Sequence, residues 1–201
     1  MIHNPMWRKV VTAVPSLVLG SGSPRRKQLL ELAGYDFSIR TSEVDESLEP
    51  GMRPEEAVVY LAEKKGEALE RKHGEVLLTA DTVVADQGEI LGKPRNEEEA
   101  RRYLRQLSGG THQVYTGVCL RGEDGCRSFF ISTSVTFLKL SPEDVEWYIR
   151  TGEWLDKAGG YGIQGKGSLL VEKLEGDFYN VVGLPIARVV RALEQLGIRR
   201  P

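Results

Sequence analysis

The sequence predicts an α/β protein with a mixed sheet in two lobes. Three observations predict it. Short apolar strand-like runs alternate with helical segments through the first half. Two long β-branched stretches then read as a hairpin, and helical segments resume after it. At 201 residues, 40% hydrophobic and 28% charged, the chain has an ordinary globular composition and can bury a core without staples. Residues 1–201 are expected to form a single domain, with residues 1–15 as an N-terminal extension.

Each element has a local reason. Ser16–Gly20 reads as a short buried strand. Pro24–Leu32 reads as a helix, with Pro24 at a first helical position, Ser23 as a cap and Gly34 as the stop. Tyr35–Thr41 is a strand around Phe37 and Ile39, and Pro54–Lys72 is a long helix closed by His73-Gly74. Val76–Ala85 is a second buried strand, rich in Leu and Val. Asn96 caps a helix that runs through Leu107 and stops at Gly109-Gly110. His112–Leu120 and Ser128–Leu140 form the hairpin about a turn at Arg121–Gly125. Pro142–Thr151 is a short helix, Ala158–Gly167 a glycine-rich loop, Ser168–Lys173 a strand and Leu184–Leu196 a closing helix.

Several function classes are set aside. Lys plus Arg number 27 against 29 Asp plus Glu, a net charge of -2, which disfavours nucleic-acid binding by bulk charge but allows a local basic pocket. Cys119 and Cys126 lack metal-ligand spacing and fit a reducing cytosol. Arg8 and Lys9 precede the apolar stretch Val10–Gly20, but Pro15 breaks it and no clean cleavage site follows. No run approaches the roughly 18 apolar residues of a membrane span, so a cytoplasmic protein without membrane attachment is expected. His3, His73 and His112 form no ligand cluster, and no Ser/His/Asp order suggests acyl transfer.

The strongest local signal is Gly20-Ser21-Gly22-Ser23-Pro24-Arg25-Arg26-Lys27, between a strand and a helix. Three cations in a first helical turn oppose the macrodipole, whereas the helix at Ser141-Pro142-Glu143-Asp144 opens with acids in the favourable sense. A bound anion, held by free N–H groups and the arginines, resolves the conflict; the plain alternative is a solvated basic turn. No GxxxxGK[ST] P-loop is present. The second signal is Asp81 inside the apolar run Leu77–Val84. Either it bonds backbone at a bulge, or it is a cleft carboxylate that binds a hard cation or polarises water. The acidic loop Ser42–Glu46, the helix pair Lys64-Lys65 and the turn Gly92-Lys93-Pro94 are individually bland but together supply metal carboxylates and phosphate donors. Gly160–Gly165 matches GxGxxG, yet a strand follows it where a dinucleotide fingerprint needs a helix, so the match is accidental. Gln164 in that loop carries the donor and acceptor needed to read a base edge, and Tyr161 reads as packing.

Taken together, the chain resembles the Maf family of nucleotide pyrophosphatases. The markers are SGSPRR at 21–26, SEVDE at 42–46, LAEKK at 61–65, TADTVV at 79–84, GKPRN at 92–96, LSGGTHQVYTG at 107–117, DKAGGYGIQG at 156–165 and VVGLP at 181–185. The resemblance implies a fold related to the inosine-triphosphate pyrophosphatases, with a central cleft between two lobes. It implies hydrolysis of a nucleoside triphosphate to the monophosphate and pyrophosphate with Mg²⁺ or Mn²⁺, a house-cleaning role against modified nucleotides, and a homodimer. The loop AGGYGIQG is similar to the dTTP/UTP branch, whose specificity positions match Arg25, Thr82 and Gln164; Gly160 stands where Ala is more usual. Carried onto this sequence, Ser21, Arg25, Arg26, Lys65 and Lys93 bind phosphate. Glu46 and Asp81 hold metal, with Glu43 the weaker candidate for the loop glutamate, and Asp81 activates water. The rivals are a non-catalytic nucleotide-binding regulator of cell division, which needs no Asp81, and a sequence-independent nucleic-acid binder.

Overall fold

The computed structural model describes residues 15–200. The extension Met1–Pro15 therefore lies, apart from Pro15, outside the described residues. Among these residues seven strands form one sheet: β1 (Ser16–Leu19), β2 (Phe37–Ile39), β3 (Glu75–Asp86), β4 (Glu89–Leu91), β5 (Thr111–Gly122), β6 (Gly125–Phe137) and β7 (Val171–Glu175). Their order is β2-β1-β3-β5-β6-β7, with β4 paired to β3. β1 is parallel to both β2 and β3, and the remaining pairs are antiparallel, so the sheet is mixed as expected.

The length of β3 positions the site. Only its first part, Glu75–Leu78, pairs with β1, whereas Leu77–Ala85 pairs with β5. β3 thus runs on past the carboxyl end of β1 and carries Asp81 and Thr82 alongside the turn that follows Leu19. A ligand crevice belongs at the carboxyl end of a parallel strand.

Among the described residues, six α-helices complete the fold: α1 (Pro24–Leu32), α2 (Pro54–Glu67), α3 (Glu97–Leu107), α4 (Pro142–Arg150), α5 (Phe178–Val182) and α6 (Ile186–Gln195). Two large cores form among the described residues, with a small third cluster of Val18, Leu69 and Leu77. One gathers Leu19, Leu30, Leu78, Leu120, Leu184 and Leu193 between β1, β3, β5, α1 and α6. The other gathers Leu91, Leu104, Phe137, Tyr148 and Trp154 about α3 and α4. α2 lies on the other face of β3 and β5. Its approach depends on Gly117, where a Cβ would sit 2.2 Å from the Val58 carbonyl oxygen. No helix among the described residues is long and apolar enough to cross a membrane.

Several boundaries differ from expectation. α2 stops at Glu67 because the chain turns to bury Leu69 with Val18 and Leu77. The strand expected at Tyr35–Thr41 is three residues long. The hairpin is longer than its alternation suggests, with only Glu123-Asp124 between β5 and β6. Ser168–Leu170 belongs to a 3-10 turn, and β7 starts at Val171. β4 and α5 escaped the sequence reading because three and five residues are too few for periodicity to register. Cys119 lies in the core of β5, and its sulfur meets that of Cys126 across the hairpin, with the Cα atoms 6.4 Å apart.

Candidate active site

The turn after β1 has the features of an anion site. α1 has no acid in its first turn, and Ser23 makes no side-chain cap, contrary to expectation. Instead the Ser23 amide donates to Ser21 Oγ at 3.2 Å. The three cations part company. Lys27 turns outward toward Glu31, 3.6 Å away, while Arg25 and Arg26 line the cleft. Arg26 is the organising group. Its Nε donates to the Gly183 carbonyl at 2.8 Å, Nη1 to Ser21 Oγ at 3.2 Å and Nη2 to Thr82 Oγ1 at 3.2 Å. Burial lowers its pKa, and the charge of Asp81 opposes that. Arg25 Nε donates to the Val182 carbonyl at 3.3 Å. The end of α5, which the sequence reading missed, therefore supplies the carbonyls that aim both arginines.

Asp81 is a cleft carboxylate and not a bulge residue. It is 8% exposed, in unbroken register opposite Gly117. The close packing permitted by Gly117 brings Lys65 of α2 onto it. Lys65 Nζ lies 2.5 Å from Asp81 Oδ1 and 2.7 Å from Glu46 Oε1. Lys93 reaches Glu46 Oε2 from the other side at 3.2 Å. Burial works against the Glu46 charge, but the hydrogen bond and charge of Lys65, with Lys93, hold its pKa below the ordinary value. Lys64 instead sits over the Tyr60 ring, and Glu43 does not line the cleft. The structure thus brings together Ser21, Arg25, Arg26, Glu46, Lys65, Asp81, Thr82, Lys93 and Gln164 along one cleft and leaves Glu43 and Lys64 out of it.

The glycine-rich segment forms the opposite wall. It consists of two 3-10 turns, Ala158–Gly160 and Gly165–Leu170, so it is no dinucleotide fingerprint. It is pinned by backbone. The Gly159 amide donates to the Gly92 carbonyl at 3.0 Å, next to Lys93. A Cβ at Gly159 would come within 2.9 Å of Val84, so the loop lies directly on β3. Tyr161 is buried as packing, its hydroxyl 2.7 Å from His112 Nε2. Burial pushes His112 down to about 4, so the ring is neutral near pH 7.

The sequence reading missed Thr116, Glu153, Asp156 and Lys157. Thr116 Oγ1 is 2.9 Å from Thr82 Oγ1 and donates to the Asn180 carbonyl at 2.9 Å. Asp156 has φ 57° and its charge supports that of Arg25, whose pKa burial lowers. Lys157 donates to the Glu153 and Leu155 carbonyls, and burial lowers its pKa. Glu153 accepts from the Lys166 and Gly167 amides at 3.0 and 3.3 Å. Asp156 and Lys157 open the DKAGG motif, and Thr116 sits in LSGGTHQVYTG, so a signal existed for three of the four.

The cleft has a volume of about 630 Å³, room for a nucleotide-sized ligand. Among the described residues no group of three or more His, Cys, Asp or Glu could by itself hold a metal ion. A turn carrying two inward arginines, set against two carboxylates and two lysines, has the charge layout of a phosphoanhydride-hydrolase site. The chain belongs to the Maf family: the Maf-like protein model matches residues 16–196. It is 49% identical over 183 residues to a dTTP/UTP pyrophosphatase of Bacillus pumilus (strain SAFR-032), covering 90% of this chain and 97% of that one. It is 49% identical over 192 residues to a dTTP/UTP pyrophosphatase of Bacillus cereus (strain ATCC 10987 / NRS 248), covering 95% of each. Among solved structures, it is similar to a nucleoside-triphosphatase / dITP/XTP pyrophosphatase of Mycobacterium abscessus, at 14% identity and TM-score 0.45, covering 90% of this chain and 97% of that one.

Proposed function

We propose that this protein hydrolyses dTTP and UTP to the monophosphate and pyrophosphate. The observation that carries the reading is the convergence of Asp81, Glu46 and Lys65 beside the SGSPRR turn, in a chain 49% identical to enzymes of that name. The triphosphate lies across the turn. Ser21, Arg25, Arg26, Lys65 and Lys93 neutralise its oxygens, and Arg25, Thr82 and Gln164 set the choice of base. A divalent cation fits the donor set. Glu46 and Asp81 already share one cation, the Lys65 ammonium, and two carboxylates with substrate oxygens are what Mg²⁺ or Mn²⁺ accept. When bound, such an ion stabilises charge on the phosphate oxygens and acidifies water.

Asp81 orients a water for in-line attack at the α-phosphorus and receives its proton. Lys65 fixes the Asp81 carboxylate and, with Lys93, stabilises the charge that leaves with pyrophosphate. Positioning and electrostatics supply the acceleration. The family resemblance also supports a cytoplasmic homodimer, which light scattering checks. Pyrophosphate release from a nucleotide panel, with Mg²⁺ or Mn²⁺ and an EDTA control, tests the reading. Metal-dependent release from dTTP and UTP is expected. Binding without release would leave a nucleotide-binding regulator.

A further inference from the structure

Thr82 and its neighbours form a hydrogen-bond chain whose direction is fixed. A carbonyl only accepts, so Thr116 must donate its single hydroxyl proton to the Asn180 oxygen, 2.9 Å away. Thr116 is fully buried and has no second proton to give. The 2.9 Å contact between the two hydroxyls is therefore donated by Thr82. On its other side, Thr82 Oγ1 accepts from Arg26 Nη2 at 3.2 Å, and a guanidinium only donates. The chain reads Arg26 to Thr82 to Thr116 to the Asn180 carbonyl. Thr82 is only half-buried and lines the cleft. Its proton is committed, so what remains for a ligand is one acceptor lone pair.

We infer that Thr116 is a specificity-positioning residue: it turns Thr82 into an obligate acceptor, so the site takes pyrimidines that carry N3–H and rejects cytosine. Uracil and thymine present a donor at N3, whereas cytosine presents a lone pair there. Two facing acceptors cannot pair, and the rings are nearly the same size, so shape alone cannot separate UTP from CTP. This rests on the reading that Thr82 faces the base. An unmatched buried polar contact corresponds to a discrimination of roughly tenfold to a hundredfold.

The test compares UTP with CTP in pyrophosphate release and in equilibrium binding of their α,β-methylene analogues, so that the ratio is read whether or not hydrolysis occurs. Thr116→Val frees the Thr82 proton, and the UTP-to-CTP ratio is expected to fall roughly tenfold or more. Thr116→Ser retains the relay and the wild-type ratio. A Thr116→Val enzyme that loses UTP and CTP equally, or keeps the wild-type ratio, overturns the inference. Thr82→Val separates the two levels. A ratio unchanged by Thr82→Val overturns the base-reading role of Thr82 and the relay with it, whereas a ratio that moves with Thr82→Val but not Thr116→Val overturns the relay alone. If Thr116→Val does not fold, 3-deazauridine triphosphate on the wild-type protein decides. It carries C–H in place of N3–H, and recognition equal to that of UTP would overturn the inference.

Discussion

Replacing Asp81 by Asn separates chemistry from stability. The Asp81 and Lys65 side chains are 11% and 15% exposed, a nearly buried pair at 2.5 Å. Removing one member of a buried pair costs about 3–5 kcal/mol when the partner is left alone. Lys65 is not left alone, because Glu46 Oε1 remains 2.7 Å from it. The loss should therefore be nearer about 1–2 kcal/mol, which for a chain of this size lowers Tm by about 2–8 °C. The activity loss should be far larger. A positioned base contributes about 10²–10⁴ in rate, and the same carboxylate is assigned to metal, so kcat should fall by at least that range. A continuous pyrophosphate-release assay with saturating dTTP, run beside thermal melts, measures both. A folded Asp81→Asn protein with wild-type kcat would refute the assignment of both water activation and metal to this residue.

Three further outcomes follow from the same geometry. Gly117→Ala would push a Cβ to 2.2 Å from the Val58 carbonyl, so α2 must shift. Overpacking of this kind costs about 1–3 kcal/mol or more, and kcat should drop because Lys65 moves off Asp81; a lower Tm with wild-type kcat would break the link between α2 packing and the site. His112 is buried with a pKa of about 4 against an ordinary 6.5, so the unfolded chain takes up a proton that the folded one refuses. Its contribution is intact above pH 6.5 and is lost as pH falls toward 4, by up to about 3 kcal/mol, and His112→Phe should flatten that stretch of a stability-versus-pH curve. Glu46→Gln should raise the Mg²⁺ concentration needed for half-maximal activity by roughly tenfold or more while saturating metal restores much of kcat; an unchanged metal requirement in a titration would remove Glu46 from the metal set.

The sequence by itself determined the strand and helix alternation, the cationic turn at the start of α1 and the presence of an unusual Asp81. These are local signals: period, capping chemistry and charge placed against a helix dipole. α3 shows how far that reaches, since Asn96 accepts from the Glu99 amide as its type demands and the helix ends at Leu107 as read. Only the tertiary structure decided that Asp81 is a cleft carboxylate, because its partner Lys65 arrives from a separate helix through the gap left by Gly117. The same holds for the fates of the three cations at 25–27, where the Val182 and Gly183 carbonyls draw Arg25 and Arg26 inward and leave Lys27 outside. Thr116 lay in a motif already noted, yet its chemistry depends on a carbonyl 64 residues away that fixes which way a hydroxyl points. Residue types are written locally, whereas the direction of a hydrogen bond belongs to whatever the fold brings to its other end.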